Sequence, residues 1–273
     1  MEYFAFLGGI NSSIYIDFFD GIDRAIEEYI LKDIQPIEDS ISPSYLLLSP
    51  YRDILVAIAR GDGKLLNIFR RARVGESVGM SILQELQALD IIKIEKSRER
   101  PLQTHPKLKL KKHLRSYRIQ SKVRFKEPFL RFWFGFIEPY KKELIIKKSE
   151  RFWDNYYNHR DRCASLVFEQ LSNDLVELLY QPLITKGSFW DRYSEFDLLA
   201  ITNDKKLLLG ECKYKGRKVC KNELTKLKEK AINSHIRVDT YILFSLSGFS
   251  NELLQNRDKN LLLFEAKDFE KLL

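Results

Sequence analysis

Several familiar signatures are missing from this sequence, and each absence removes a class of function. No apolar run approaches the roughly 20 residues of a membrane-spanning helix, so a membrane is not expected among its partners. The opening MEYFAFLGGI carries Glu2 and has neither a basic start nor a long apolar stretch, so a secretory leader is not expected. Cysteine is scarce. Cys163, Cys212 and Cys220 are an odd number without a C-x-x-C repeat, which fits reduced thiols in a cytoplasmic protein. The histidines at positions 105, 113, 159 and 235 have no zinc-ligand spacing with the cysteines. There is no G-x-S-x-G and no dinucleotide fingerprint. The phosphate-loop pattern G-x-x-x-x-G-K-S/T occurs nowhere, and Gly61-Asp62-Gly63-Lys64 has the wrong spacing with no strand before it, so ATP is not expected as a cofactor.

What is present is ample core material and a lopsided charge. The 273 residues are 44% hydrophobic and 12% aromatic, enough for two small domains or one large one and too much for wholesale disorder. The formal charge is +8, yet thirteen Lys or Arg face only Glu95 and Glu99 between Lys93 and Lys126. That segment carries +11, leaving −3 for the remainder. Such a concentration suits a polyanion, because phosphate neutralisation and counterion release drive non-specific nucleic-acid affinity. A solvated loop, or a docking site for an acidic partner, would have the same composition.

Four regions separate by pattern. Residues 1–44 hold Gly8-Gly9, an aromatic cluster (Tyr15, Phe18, Phe19), helical spacing over Ile22–Leu31 and a turn-like stretch over Gln35–Pro43. Residues 45–120 read as three helices and a hairpin. Ser49-Pro50 caps Tyr51–Ala59, Gly61-Asp62-Gly63 breaks the chain, and Lys64–Ala72 forms the second helix. Ser77–Leu89 is the third, with Ile82, Leu83, Leu86 and Leu89 on one face. The strands are expected at Ile91–Ile94 and Tyr117–Ile119, with a long basic tip between them. This is the winged helix-turn-helix order, in which the third helix can enter a major groove while the wing lies on phosphates. Candidate nucleic-acid contacts are Ser77, Ser81 and Gln84 on that helix, and Arg98, Arg100, Lys107, Lys109, Lys111 and Lys112 in the wing. Winged helices that only bind proteins share the pattern. Residues 121–159, dominated by the aromatics of Pro128–Phe136, read as a packing connector in preference to a base-stacking platform.

The last region, 160–273, begins with a helix over Arg160–Leu179 whose apolar positions are Leu166, Leu171, Leu175, Leu178 and Leu179. Strands follow at Leu183–Thr185, Ser194–Ile201 and Lys206–Lys213, then a helix at Asn222–Asn233 and a strand at Thr240–Phe244. A short helix near Asn251–Asn256, a strand at Leu261–Phe264 and a final helix complete an extended α-β-β-β-α-β order. Both faces of the middle strands are apolar, with Leu199, Ile201, Leu207 and Leu209 on one and Phe196, Leu198, Ala200 and Leu208 on the other, as in a sheet covered on both sides. Into that setting the chain puts Asp197, Glu211 and Lys213, charges that are costly there unless paired or bound to metal. Alternation places Glu211 and Lys213 on one face. Asp197 joins them only if 203–205 form a three-residue turn; a two-residue turn pairs it with Gly210 and flips it away.

Two carboxylates so placed would bind a hard cation, Mg²⁺ or alternatively Mn²⁺, leaving positions for water and phosphate. Lys213 could orient the water, help deprotonate it, or balance developing charge, and Glu169 on the preceding helix could add a third carboxylate. The triplet E-x-K alone is weak: Glu265-Ala266-Lys267 repeats it, but without an aspartate on a preceding hairpin partner, and it is read as structural. Cys212, on the opposite strand face from Glu211, is read as core.

W-D-R-Y-S-E-F-D-L-L-A from Trp190 to Ala200, followed by G-E-C-K-Y from Gly210 to Tyr214, resembles the PD-(D/E)xK restriction-endonuclease-like superfamily. More narrowly, it resembles the C-terminal domain of unknown function attached to prokaryotic DExx-box ATPases. The helices and strand from Tyr51 to Ile94, P-F-L-R-F-W-F from Pro128 to Phe134 and V-F-E from Val167 to Glu169 are similar to that family's layout. The opening L-G-G-I from Leu7 to Ile10 resembles the close of the ATPase module that precedes these parts. The resemblance implies a nuclease fold with Asp197, Glu211 and Lys213 as the active-site set and Glu169 as the helix carboxylate. Without a phosphate loop, the ATPase is expected on a separate subunit or lost, leaving residues 1–44 as a remnant or docking surface.

The expected fold class is therefore α/β, α+β overall: a winged helix-turn-helix domain followed by a restriction-endonuclease-like domain with a mixed sheet. The expected function is double-stranded DNA binding joined to Mg²⁺-dependent phosphodiester cleavage. The alternatives are a non-catalytic DNA-binding or regulatory partner of an ATPase, and a protein–protein adaptor.

Overall fold

The computed structural model describes residues 1–10, 21–99, 105, 109–110, 112, 117–256 and 258–272. The described chain divides into two compact units, Met1–Glu95 with Gln120–Ala164, and Lys96–Ile119 with Ser165–Leu273. Tyr15, Phe18 and Phe19 lie outside the described residues. Among those described, no helix is long and apolar enough to cross a membrane.

The first unit is helical. It contains α1 (Glu2–Leu7), α2 (Ile22–Ala25, continued by a π-helical turn Ile26–Leu31), α3 (Gln35–Ser40), α4 (Tyr51–Arg60), α5 (Leu65–Ala72) and α6 (Glu76–Ala88). A two-stranded antiparallel hairpin follows, β1 (Ile92–Glu95) with β2 (Lys122–Phe125), then α7 (Pro128–Phe132) running into a π-helical turn, and α8 (Lys141–Ile145). The helix-helix-helix-hairpin order read from the sequence is thus present over α4 to β2.

Its details differ from expectation in four places. The second hairpin strand is Lys122–Phe125, not Tyr117–Ile119, because burying alternate Val123 and Phe125 outweighs the strand propensity of Tyr117-Arg118-Ile119. Gln35–Ser40 is a helix, not a turn: Pro36 in the first turn is a helix starter, Ile37 is buried, and Gln35 donates to Asp39 one turn on. Ser49 does not cap α4 through a backbone N–H; its hydroxyl donates to the Asp53 carboxylate at 2.6 Å. Leu89, just past the end of α6, is 40% exposed instead of completing the apolar face.

The aromatic stretch forms this unit's core. Phe132 lies 5.5 Å from Phe6 and 6.4 Å from Tyr156, and Phe129, Trp133 and Phe134 are fully buried. Aromatic rings bury about 150–250 Å² each, so this cluster holds α1, α7 and the first part of α9 (Glu150–Tyr180) together.

The second unit holds most of the sheet. α9 starts ten residues before the expected Arg160, and its buried stripe is Val167, Phe168, Ser172, Leu175 and Val176. Leu178 and Leu179, expected inside, are exposed in the last turn of α9, where the buried stripe ends at Val176. Next come β3 (Leu183–Thr185), β4 (Phe189–Trp190), β5 (Glu195–Phe196), β6 (Leu198–Thr202), β7 (Leu207–Lys213), α10 (Lys221–Asn233), β8 (Thr240–Ser245), α11 (Asn251–Leu254) and β9 (Leu261–Glu265). The final helix is a 3₁₀ segment, Ala266–Leu272. The fold is α+β with a mixed five-stranded sheet ordered β3-β6-β7-β8-β9: β3, β6 and β7 run antiparallel, and β7, β8 and β9 run parallel.

Helices cover both sheet faces. Leu199, Leu209 and Leu243 pack with Leu224, Leu227 and Ala231 of α10. Leu198, Ala200, Leu208, Ile242 and Phe244 pack with Phe168, Leu175 and Val176 of α9. Phe196 is the exception to the expected alternation. The chain bends at Asp197 between β5 and β6, so Phe196 joins the α10 side with Leu199 and not Leu198.

Glycine permits the close approach of α5 and α6. A Cβ on Gly79 of α6 would stand 2.4 Å from the ring of Phe69 on α5. Gly79→Ala gains up to about 1 kcal/mol of helix propensity but overpacks this contact, which costs about 1–3 kcal/mol. The variant is expected to be the less stable protein in urea unfolding.

Candidate active site

The site is built on the β6–β7 hairpin. Leu198 pairs with Gly210, Leu199 with Leu209, Ala200 with Leu208 and Ile201 with Leu207. Thr202 N–H donates to the Lys206 carbonyl at 3.0 Å and Lys205 N–H to the Thr202 carbonyl at 2.9 Å, closing a three-residue turn over 203–205. Lys205 takes a left-handed φ of 64° to make it. The odd-length turn is present; the last recorded pair is Leu198 with Gly210, and the chain bends at Asp197 just beyond it.

Asp197 sits at the bend, where its Oδ2 accepts the Cys212 N–H at 2.7 Å. Asn173 of α9 holds the backbone there, its Nδ2 donating to the Asp197 carbonyl at 3.0 Å and the Glu169 carbonyl at 2.8 Å. Asp197 keeps some solvent exposure, but protein atoms crowd its carboxyl. Desolvation is the largest cause pushing its pKa well above the ordinary carboxylate range, followed by the charges of Glu169 and Glu211; the Cys212 N–H and Lys213 oppose it. Glu169, Asp197 and Glu211 therefore share one electrostatic neighbourhood.

Glu211 is neutralised by lysines. Lys213 Nζ donates to its Oε1 at 2.8 Å, and Lys230 Nζ on α10 reaches both oxygens, at 3.2 and 3.0 Å. Lys213 also lies 3.4 Å from Glu223. Burial alone would lower the Lys213 pKa, but Glu211, Glu223 and Asp197 together raise it, so Lys213 is a fixed cation at neutral pH. That favours charge stabilisation and orientation over deprotonation of water. Cys212 faces Ser172 and the α9 side, its thiol pushed far up by burial and by Asp197 and Glu169, which disfavours the thiolate.

Lys230 and Glu223 were not singled out in the sequence. They are seven residues apart on α10, two turns on one helical face, beside the apolar positions Leu224, Leu227 and Ala231 that mark the side packed on the sheet. That spacing was available to sequence reading. The second E-x-K lies at the end of a strand and the start of the last helix, as expected: Glu265 ends β9, and Lys267 stands in the final 3₁₀ helix, 3.4 Å from it.

Asp197 and Glu211 are the residues here that could hold a hard divalent cation. Asp197 and Glu211 offer carboxylate oxygens, and the carboxylate crowding that disfavours ionised Asp197 is what a cation would relieve. Asn173 Oδ1 is a buried oxygen without a hydrogen-bond partner on the side chain that holds Asp197. Among the described residues, no three His, Cys, Asp or Glu side chains stand together as a ready ligand group. The arrangement is a lysine-neutralised one that a cation would have to reorganise.

In the first unit, Ser77, Ser81 and Gln84 are exposed along α6. One turn on from Ser81, Glu85 accepts hydrogen bonds from Tyr45 and Tyr51, at 2.6 and 2.5 Å. The wing candidates diverge. Lys109 and Lys112 are exposed, while Arg100, Lys107 and Lys111 lie outside the described residues. Arg98 belongs to the second unit, where its guanidinium donates to the Leu199 carbonyl at 3.4 Å. Beside it, Ser97 donates to the Trp190 carbonyl at 3.0 Å, and Arg192 bonds Glu99 at 2.7 Å.

Ionised Asp197 is disfavoured in the folded protein, so its contribution to stability is fully present below its unfolded pKa of about 3.9 and is lost as pH rises through the raised folded value. The side-chain amide of an Asp197→Asn variant cannot ionise. Without divalent cations, the stability advantage of this variant over wild type in urea unfolding is expected to grow across that window, by at most about 1.4 kcal/mol per pH unit, and then level off. A constant difference would show that Asp197 does not titrate abnormally.

Residues 133–233 match the family DUF234, described as archaea bacterial proteins of unknown function. That stretch contains Glu169, Asp197, Glu211, Lys213 and Lys230, and excludes α4 to α6 and the basic segment. No match was found among curated proteins or solved structures. The likeness to DUF234 is thus confined to residues 133–233, less than half of the chain.

Proposed function

We propose that the second unit is a metal-dependent phosphodiesterase acting on DNA, and that the first unit binds the duplex through α6. The observation that supports the reading is the Cys212 N–H bond to Asp197 Oδ2, which ties Asp197 to the strand between Glu211 and Lys213, with the charges of Glu169 and Glu211 acting on it. The likeness of W-D-R-Y-S-E-F-D and G-E-C-K to PD-(D/E)xK nucleases supports it. The likeness to parts attached to DExx-box ATPases suggests an ATPase subunit as a partner.

In this reading Asp197 and Glu211 would hold Mg²⁺ or Mn²⁺, with Glu169 near enough to influence them electrostatically. Such a cation, when bound, supplies Lewis-acid polarisation of the phosphodiester and a lowered water pKa. The chain's own residues do the rest. Lys213, kept cationic by its acidic neighbours, stabilises negative charge on the phosphate. The Cys212 N–H and Asn173 fix Asp197 in place from opposite ends of the residue. Lys230 occupies the Glu211 oxygens until a cation competes for them.

That competition favours the second reading, a non-catalytic DNA-binding or regulatory partner of an ATPase that keeps the fold as a scaffold. The two readings part on cleavage. With Mg²⁺ or Mn²⁺, wild type is expected to cut plasmid or oligonucleotide DNA. Asp197→Ala and Lys213→Ala are expected to lose at least about 100-fold in rate, the scale for removing a transition-state charge partner. Equal trace activity in all three would leave the scaffold reading standing. Lys230→Ala removes a competitor for Glu211, so its Mn²⁺ affinity by calorimetry is expected to rise about two- to fivefold, in keeping with roughly 0.5–1 kcal/mol for a part-exposed ion pair.

A further inference from the structure

The first unit has an open cleft of about 840 Å³ among the start of α4, the turn between α5 and α6, and residues 138–143. Arg52, Arg71, Arg73, Lys141 and Lys142 all line it. Its three acids are already engaged: Asp53 by Arg52 at 2.9 Å, buried Glu138 by Trp133 at 3.3 Å, and Glu143 by Arg151 at 2.5 Å. Among the described residues, the side chains of Arg73 and Lys142 make no hydrogen bond or ion pair, and both are exposed.

Arg73 is also conformationally unusual. It ends α5 in the left-handed region, φ 56° and ψ 38°, where glycine or asparagine is the ordinary choice. A helix cap that keeps an arginine there, with its guanidinium unpaired in a cleft, invites a functional explanation. The turn it begins leads into α6, whose Ser77, Ser81 and Gln84 are exposed.

We propose that this cleft binds the phosphodiester backbone of nucleic acid, with Arg73 and Lys142 as its unpaired phosphate contacts. The proposal rests on the nucleic-acid half of the functional reading and is independent of cleavage. Backbone recognition follows from what the cleft offers. Its cations come from three stretches of chain along an open surface, which suits successive phosphates more than one enclosed anion. The Tyr140 ring in its wall already carries the guanidiniums of Arg60, at 6.0 Å, and Arg151, at 5.5 Å, so it is not offered to a base. Contacts of this kind position a duplex without reading its sequence.

The test is fluorescence anisotropy of the full chain on a short labelled duplex of mixed sequence, over a salt series with divalent cations chelated. The variants are Arg73→Gly with Lys142→Gln, and separately Lys142→Glu. Arg73→Gly relieves the left-handed backbone, so circular dichroism and melting are expected to show a fold at least as stable as wild type. The double variant is expected to bind about tenfold or more weakly, with the slope of log affinity against log salt reduced by about two, one unit per lost phosphate contact. Lys142→Glu alone, at an exposed position, is expected to weaken binding and reduce the slope by at least about one. Unchanged affinity and slope in both, with wild type binding, would overturn the cleft while leaving nucleic-acid binding to α6 and the wing. No binding by wild type would overturn both. Displacement of the duplex by polyglutamate or inorganic phosphate at matched charge would overturn the phosphodiester assignment in favour of an acidic protein or a small anion.

Discussion

The candidate site depends on a turn of three residues. Strand alternation has period two, so adding or removing one residue between Thr202 and Lys206 moves every side chain of one strand to the other face. The bonds that Thr202 makes to Lys206 from both its backbone and its hydroxyl hold that count. With it, Leu199 and Leu209 meet α10 while Leu198 and Leu208 meet α9, so the packing of both layers enforces the register of the hairpin that leads to Asp197 and Glu211. A slip would exchange the residues that meet α9 with those that meet α10 and unmatch the packing of both layers at once. The hairpin's register is thus secured by the hydrophobic core, while Lys213 and Lys230 neutralise Glu211 at its end.

What was legible in the sequence follows from this. Elements whose own periodicity buries a face were readable: α4, α5 and α6 fall within a residue or two of expectation, as do β7, α10 and β8. The hairpin and its charged residues were readable because charges inside apolar strands stand out. Less legible were features decided by partners distant in sequence. Tyr117 has strand propensity, yet it donates to Glu99 and lies beneath the Arg192 guanidinium, and burial with the Glu99 carboxylate pushes its phenol up to about 12. Val123 and Phe125, less prominent in composition, take the strand because the first unit's core accepts them. The bend that moves Phe196 to the α10 side is invisible to alternation, since it comes from Asp197 turning its carboxylate to the Cys212 N–H.

Charge density and charge availability also proved to be different things. The basic run between Lys93 and Lys126 dominates the composition, but Arg98 is spent on a backbone carbonyl and Arg124 on Glu95. Arg73 and Lys142, exposed and without a side-chain partner among the described residues, belong to stretches that attract no notice as sequence. A count of charges suggests a polyanion as partner; which cations could meet it depends on which are already satisfied.

The path of the chain has a further consequence. The backbone passes between the two compact units three times, after Glu95, after Ile119 and after Ala164, so the second unit is assembled from two separate stretches of sequence. A fragment beginning at Ser165 would contain the sheet and every carboxylate of the candidate site. It would still lack Glu99, which bonds Arg192, and Ser97, which bonds Trp190, on the short hairpin that leads into Asp197. The boundary at which this protein could be divided by evolution or by a protease therefore does not coincide with any single point along its sequence.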